Sequence, residues 1–452
     1  MTRALDVAQA ALEHADGDAE VVVQGETSGL ARFASSEVHQ PTLIDNLVVT
    51  VRVARGARVG LAQTNRTDDE GLRAVVERAG DAAASAPEDP TFPGLAAPAD
   101  VTPSDGFDQA TAALGPDDQA RLATEAIDAA DIPVYGFFTS GTTQIAIAST
   151  TGVALEQRIT DASTLVLAAE EGRSGYAEAT AARVGDIDPA RVALEAVEKA
   201  ERTANAKEIS PGAYAAVLEP YAFADLLQYF SYDSLGGLGL VEERGFFAER
   251  IGERIFDEKI TIADDGHDSR GLPKEFDFEG VPKQRVELVT NGVARGVVWD
   301  RRTAALATNG AQTTGHAPTH DELSWGPLPN ALVVSGGDAD SVDDLVGLVG
   351  DGLYITRLHY LGVVHPREGV ITGMTRDGTF RIRDGKIAEP LANLRFTVAV
   401  PDLLRNVPGL TRNVKLVNAS NFYGERYPHG LLVPAIASAH FNVTGVGGGP
   451  GI

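Results

Sequence analysis

The chain of 452 residues contains no cysteine. Without cysteine it cannot form disulfides, thiolate zinc sites or iron–sulfur clusters, and it has no thiol nucleophile. Long apolar runs are absent as well, since the stretches at 361–364 and 431–437 are far shorter than the roughly 18 residues that span a membrane. Residues 1–20 carry acidic side chains and no apolar segment before them, which argues against a secretory signal. We therefore expect a cytoplasmic protein without a membrane partner.

Lysine is scarce, and acidic residues outnumber basic ones. The first lysine is Lys199, Lys and Arg together number 38, and Asp and Glu together number 64. The resulting formal net charge is -26. A surface this acidic repels DNA phosphates and anionic lipids at long range. The composition therefore predicts that nucleic acid is not a partner.

Hydrophobic periodicity indicates both helices and strands, and the predicted fold class is α+β. Residues 47–54 alternate in the manner of a strand, and a capping box at 67–70 precedes a helix near 68–85. Asp188 is predicted to cap a helix over about 189–205. Turn residues such as Ser140-Gly141 are expected to divide the β-rich stretches into short strands. These strands are predicted at 19–25, 28–35, 134–140, 143–149, 153–160, 163–170, 369–374 and 379–383.

Two features divide the chain. Five prolines between Pro87 and Pro103 exclude a helix or a central strand, so residues 86–106 are predicted to form an extended connector on the surface. Residues 210–212 read Ser-Pro-Gly, and the sequence turns β-rich after them. We therefore expect an N-terminal domain over residues 1–208 and a C-terminal domain over residues 209–452.

Several common catalytic and binding motifs are missing from the sequence. It contains neither the G-x-x-x-x-G-K-[ST] loop of nucleotide-binding proteins nor the G-x-S-x-G turn of serine hydrolases. Residues 335–338 are interpreted as a tight turn before a helix at 340–349, with an anion cradle as the alternative. Asp264, Asp265 and Asp268 form an acidic cluster, interpreted as a solvated loop, with a hard-cation site as the alternative.

The order and spacing of several segments carry a resemblance to a known family. The segments are PGAYAAVLEP at 211–220, GERIFDEKITIADDG at 252–266, FDFEGVP at 276–282 and GLYIT at 352–356. Together they resemble the TldD/PmbA family of two-subunit metallopeptidases, once called modulators of DNA gyrase. The resemblance implies an N-terminal α/β domain, followed by a C-terminal domain of curved, mostly antiparallel sheet.

The resemblance also implies two chains, one catalytic and one non-catalytic, that together enclose a chamber and act on unfolded or leader peptides. The catalytic TldD-like chain carries an H-E-x-x-x-H zinc helix before the segment that matches residues 245–253. In this sequence the corresponding window, residues 226–247, contains no histidine. The chain is therefore expected to be a PmbA (TldE)-like subunit with no catalytic or cofactor-binding residues of its own. Zinc is expected in the partner subunit, and a homodimer is the alternative assembly.

A relocated metal site is the main alternative. His316, His320 and Glu322 cluster in the sequence and could serve an autonomous metallohydrolase. Pro318 disfavours a helix there, so we expect an ordinary polar loop at the surface. A homodimeric peptide-binding or scaffold protein is the third hypothesis.

The remaining histidines are not expected to form a metal site. If residues 359 to 365 are extended, their two histidines lie about 20 Å apart, too far to share one ion. The others are expected at the surface (His14, His39 and His267) or in structural or interface positions (His429 and His440).

Overall fold

An antiparallel sheet of six long strands forms the first part of the chain. The computed structural model describes residues 3–420 and 425–447. The elements of the first part are α1 (Ala4–Leu12), β1 (Asp18–Ala34), β2 (Glu37–Arg55), β3 (Arg58–Thr64), α2 (Asp69–Ser85), α3 (Gln109–Ala112), α4 (Pro116–Asp128), β4 (Val134–Ser149), β5 (Ala154–Glu170), β6 (Arg173–Ala181) and α5 (Pro189–Arg202). The strands lie in the order β3-β2-β1-β4-β5-β6, and each neighbouring pair is antiparallel.

Both faces of this sheet are covered near the start of β1, whereas residues 37–46 of β2 are exposed. Successive side chains of a strand point to opposite faces. Val21 and Val23 therefore pack with the apolar faces of α1 and α2. Val22, between them, packs against Phe276 and Phe278 from the later part of the chain. The sheet thus joins a helical layer on one face to the C-terminal half on the other.

The second part of the chain forms a larger, curved sheet with short helices. Its elements are β7 (Gly212–Leu218), α6 (Pro220–Ser234), α7 (Gly237–Val241), β8 (Ile262–Asp264), β9 (Val286–Thr290), β10 (Val293–Ala294), α8 (Arg301–Leu306), β11 (Leu332–Val334), α9 (Val342–Val349), β12 (Gly352–His365), β13 (Val370–Arg383), β14 (Lys386–Pro390), β15 (Leu394–Ala399), α10 (Val400–Leu403), β16 (Gly409–Asn418) and β17 (Gly430–Val446).

Most pairs in this sheet are antiparallel. The order is β10-β9-β8-β11-β17-β15-β13-β12-β7, with β14 beside β13 and β16 beside β17. The pairs β11–β17 and β12–β7 are parallel. Strand β17 also pairs with β7, so five strands, β17, β15, β13, β12 and β7, close into a ring. The predicted α+β class and the curved, mostly antiparallel second sheet are therefore confirmed.

Several predicted strand breaks are wrong. The segments divided at 25–28, 140–143, 160–163 and 374–379 each form one continuous strand, namely β1, β4, β5 and β13. Gly141 shows why, because a Cβ at this position would lie 2.6 Å from the Cβ of Ser28 on β1. This glycine permits close approach of two strands and does not mark a turn.

Helix positions were predicted more closely. The N-cap of α2 is Asp68, whose carboxylate accepts a hydrogen bond from the N–H of Gly71 at 2.9 Å. The predicted capping box at 67–70 is therefore wrong, because it made residue 67 the N-cap. Asp188 caps α5 as predicted. Within the described residues, 86–108 contain no helix or strand. The domain limits at 208 and 209 stay a prediction.

No helix in residues 3–420 or 425–447 has the length and apolar character required to cross a membrane.

Candidate functional site

Helix α6 positions the candidate site. It begins with Pro220 at its first position, where the missing N–H costs no helical hydrogen bond. Phe223, Leu226, Leu227 and Phe230, spaced three and four residues apart, are buried in the core of the second part. This apolar face fixes the helix and turns its opposite face toward a cleft.

A cleft of about 400 Å³, here called the α6 cleft, lies against that opposite face. Gln228, Ser231 and Tyr232 of α6 form one wall. The other walls come from residues 316–332 and 427–431, with Phe278 and Ala419. The histidine-free window of the sequence, residues 226–247, thus supplies one wall of the cleft.

Aromatic rings border the α6 cleft. The rings of Tyr232 and Trp325 have centroids 6.5 Å apart, and Trp325 is 57% exposed. Burial raises the pKa of Tyr232 to about 12, so its hydroxyl stays protonated and able to donate a hydrogen bond. An apolar, partly open wall with a few polar groups is typical of sites that bind organic ligands or peptides.

A buried Asp264–His316 pair lies at the cleft wall, where His316 is one of the lining residues. Nε2 of His316 lies 2.7 Å from Oδ1 of Asp264, and both side chains are fully buried. Burial alone would raise the pKa of Asp264, but His316 and Lys283 lower it to about 2. Burial lowers the pKa of His316, and its Nε2 donates a hydrogen bond to the carboxylate. The prediction of a solvated surface loop is therefore wrong for His316.

The alternative metal ligands are not brought together as a ligand set. Nδ1 of His316 lies 2.9 Å from the hydroxyl of Thr314, so both of its ring nitrogens have partners. Both ring nitrogens of His320 are buried and make no hydrogen bond in the described part of the chain. Burial, with the charge of Arg52, lowers the pKa of His320 to about 3. Glu322 lines the α6 cleft.

The residues that α6 presents to the cleft do not fit a zinc ion. Zinc sites in proteins are built mainly from imidazole and thiolate, and the face of α6 offers an amide and two hydroxyls instead. In residues 3–420 and 425–447 no three His, Asp or Glu side chains form a group that could hold a metal. The amide and hydroxyls on this face of α6 are suited to hydrogen bonding with a ligand in the cleft.

His429 is a cleft residue that sequence reasoning placed only as structural or interfacial. It lines the cleft in a half-buried position, and its Nδ1 lies 3.1 Å from the carbonyl of Tyr427. Burial lowers the pKa of His429 to about 4. The burial of Asp264, in contrast, can be predicted from the sequence. Asp264 follows Ile260 and Ile262 at every second position, so in a strand its side chain lies on the same face as these two apolar residues.

The other candidates from the sequence are dispersed. Asp265 pairs with Arg285 and Asp268 with Arg270, so the acidic cluster does not converge on one point. Nε2 of His267 lies 3.2 Å from the carbonyl of Lys283, and His267 is only partly buried. His14 pairs with Asp69. Exposed positions are occupied by His39, His365 and His440.

The helix predicted after residues 335–338 is present, but in place of a tight turn the segment runs beside residues 410–411, because the N–H groups of Gly337 and Ala339 donate to the carbonyls of Thr411 and Leu410. Gly336 and Gly337 pack closely against the backbone of residues 410–412, and Ser341 caps α9. The helix begins at Val342, two residues after the predicted start.

Comparisons with known proteins agree with this architecture. Family models match the chain in three successive parts: PmbA/TldA metallopeptidase domain 1 at residues 19–83, the central domain at 102–204 and the C-terminal domain at 211–445. The TldE structure from Thermococcus kodakarensis has the same fold, with a TM-score of 0.85 at 19% identity over 97% of this chain and 99% of that one.

Sequence relatives carry related names. A metalloprotease of Methanothermobacter thermautotrophicus is 28% identical over 225 residues, which are 48% of this chain and 47% of that protein. A metalloprotease TldD homolog of Haemophilus influenzae is 26% identical over 267 residues, which are 58% of this chain and 54% of that protein. The chain spans about half the length of these two relatives.

The fold and the cleft define a class: an α+β protein in which a helix and a curved antiparallel sheet enclose a ligand-sized cleft. Within that class the assignment is specific, because the C-terminal match alone covers more than half of the chain. The chain belongs to the PmbA/TldD metallopeptidase family.

Proposed function

We propose that this chain is the non-catalytic, TldE-like subunit of a zinc metallopeptidase complex, in which a TldD-like partner supplies the metal. The observation that carries the proposal is the cleft-facing side of α6, which presents Gln228, Ser231 and Tyr232 where a zinc helix needs imidazoles. Family membership and the TldE-like fold support it. A cytoplasmic location is part of the same proposal.

In this proposal the α6 cleft holds part of an unfolded or leader peptide while the partner cleaves it. The aromatic border formed by Tyr232 and Trp325 suits apolar side chains of many sequences. The hydroxyl of Tyr232 and the amide of Gln228 can bond to peptide backbone, which every sequence shares. Such a cleft would bind extended chains with little sequence preference.

The first experiment tests the partnership. This chain is co-expressed with a TldD-like chain, and the two are purified through a tag on one of them. We expect a complex that cleaves an unfolded peptide in a zinc-dependent manner, whereas this chain alone does not cleave it. A homodimer of this chain that does not bind the TldD-like chain would contradict the proposal and favour the scaffold hypothesis.

A second experiment tests the cleft. Replacing the exposed Trp325 with alanine removes part of the cleft border without opening the core. We expect the KM of the complex for an unfolded peptide to rise about fivefold to tenfold, as loss of about 1 kcal/mol or more of aromatic contact implies. The matched control is Leu348→Ala, because Leu348 on α9 is 58% exposed, against 57% for Trp325. Equal KM values for the two variants would show that the α6 cleft does not hold the peptide.

A further inference from the structure

A second, smaller cavity lies beside the N-terminal half of α6. Its volume is about 180 Å³, enough for the end of one side chain or a chain terminus. Tyr221, Asp225 and Tyr229, spaced four residues apart on α6, form one wall. Strands β6, β12 and β16 form the others, and Glu178 of β6 lines the cavity.

Two carboxyl groups of this cavity, those of Glu178 and Asp225, are influenced by cations only from beyond ion-pair distance: Arg357 acts on both and Lys415 on Glu178. In the described residues neither Glu178 nor Asp225 has a Lys, Arg or His nitrogen within ion-pair distance. Glu178 is fixed by the hydroxyl of Tyr176 at 2.6 Å and the N–H of Asn418 at 3.0 Å. Burial raises the pKa of both carboxyls, that of Asp225 to about 7. Carboxylates in such surroundings are costly unless a positive charge approaches them.

The neighbouring cations are already engaged. Arg357, on the cavity wall, donates to Asp377 at 2.8 Å, and its guanidinium lies 3.9 Å from the ring centroid of Tyr176. Lys415 hydrogen-bonds the hydroxyl of Tyr221 and lies 3.7 Å from a carboxylate oxygen of Glu195. These cations offset only part of the cost of burial, since the pKa of each carboxyl stays raised, so a bound cation would stabilise the ionised carboxylates.

The cavity is open to solvent beside a bulge in β12. The pairing of β12 with β13 shifts register between His359 and Gly362. Tyr360, within this bulge, is 77% exposed and also lines the cavity. An exposed aromatic ring at the cavity rim can contact an approaching cation through its face.

We propose that this cavity binds the primary ammonium group of a peptide. An ammonium carries three hydrogen-bond donors, and the carboxyls of Glu178 and Asp225 together with the tyrosine hydroxyls supply acceptors around one small volume. The group is the free N-terminus of the peptide or a lysine side chain. This inference rests on the proposed peptide-holding function, and it adds a charge preference to the otherwise sequence-tolerant α6 cleft.

The test measures binding of labelled unfolded peptides to the purified full chain by fluorescence anisotropy. One peptide has a free N-terminus and no lysine, a second is N-acetylated and contains one lysine, and a third is N-acetylated without lysine. We expect at least one of the first two to bind about tenfold more tightly than the third, as charge-assisted hydrogen bonds imply. The identity of the tighter peptide distinguishes the terminus from the side chain.

Variants separate the cavity from the general acidity of the surface. Asp225→Asn and Glu178→Gln keep the shape of each side chain and are expected to abolish the preference. Asp233→Asn is the matched control, because Asp233 lies on α6, outside this cavity, and pairs with Arg244. Thermal unfolding checks that each variant folds.

Three results would overturn the inference: equal binding of all three peptides, no binding of any of them, or a preference that survives in both Asp225→Asn and Glu178→Gln. Co-purification of the native chain with the TldD-like chain is measured in parallel. A native chain that assembles but shows no charge preference refutes only the ammonium site, whereas failure of the native chain to assemble refutes the proposed subunit role.

Discussion

At the scale of single residues, burial determines which partners the polar side chains bond to and how their pKa values shift. His316 lies in a loop whose sequence suggests exposure, yet it is buried against Asp264. The carboxylate also accepts the backbone N–H of Ala331 at 2.8 Å, so it joins β8 to the cleft loop and to the approach to β11. These groups stabilise the wall of the cleft, which His316 itself lines.

The Asp264 carboxylate is expected to make stability depend on acidity. Its folded-state pKa, about 2, lies below its ordinary value of 3.8. The stabilisation is therefore complete above that ordinary value and is lost as the pH falls toward 2. Asp264→Asn should lower the free energy of unfolding by roughly 2 kcal/mol at pH 7. Its difference from the native chain should shrink below pH 4. Urea unfolding at several pH values measures this.

Asp265→Asn is the control for that experiment. Asp265 is the next residue, and its partner Arg285 is about half exposed, so the loss of this pair should cost well under 1 kcal/mol. If the two variants lose equal stability at pH 7, or if the Asp264→Asn deficit does not change with pH, the buried pair does not have the role assigned to it.

At the scale of elements, helices were predicted well because their start signals are local. Asp68, Asp188 and Ser341 accept backbone N–H groups at the first turns of α2, α5 and α9. Strand limits were predicted poorly, because a glycine inside a strand and a glycine in a turn look alike in a sequence. Only the partner strand shows that Gly141 is needed for close approach. The burial of His316 was equally invisible, since Asp264, the residue it bonds, lies far from it in the sequence.

Gly141 provides a test at this scale. A Cβ at residue 141 would lie 2.6 Å from Ser28 Cβ and 3.1 Å from the Thr27 carbonyl oxygen, so β1 and β4 would have to separate. Gly141→Ala should lower the free energy of unfolding by about 1–3 kcal/mol, as overpacking does. Gly185→Ala is the control, because a Cβ there meets nothing within 4 Å. A neutral effect of Gly141→Ala in chemical unfolding would mean that the strand pair is less tightly packed than described.

At the scale of the whole molecule, a buried ion pair connects the first sheet to the second part of the chain. Arg426, just before β17, donates to both carboxylate oxygens of Asp161 on β5, at 2.8 and 2.6 Å, and both side chains are buried. The α+β class, the order of its parts and the family could be predicted from the sequence. The pairing of these distant charges could not, because it depends on how the two halves pack.

Arg426→Met should destabilise the chain by about 3 kcal/mol or more, because it leaves Asp161 buried without its partner. The double variant with Asp161→Asn should recover part of this loss, which a double-mutant cycle in urea measures. Arg412→Met is the control, since the Arg412–Asp340 pair is exposed on both sides. Purely additive losses in the cycle would show that the pair does not couple the first sheet to the second part of the chain.

The central claim is that this chain assists a peptidase without holding its metal. The most direct test is the zinc content of the purified chain, measured by elemental analysis after dialysis against buffer containing trace zinc, with the TldD-like partner and the assembled complex treated in the same way. The account predicts zinc in the partner and in the complex, and none above background in this chain alone. One zinc ion bound per isolated chain, retained through dialysis, would contradict it.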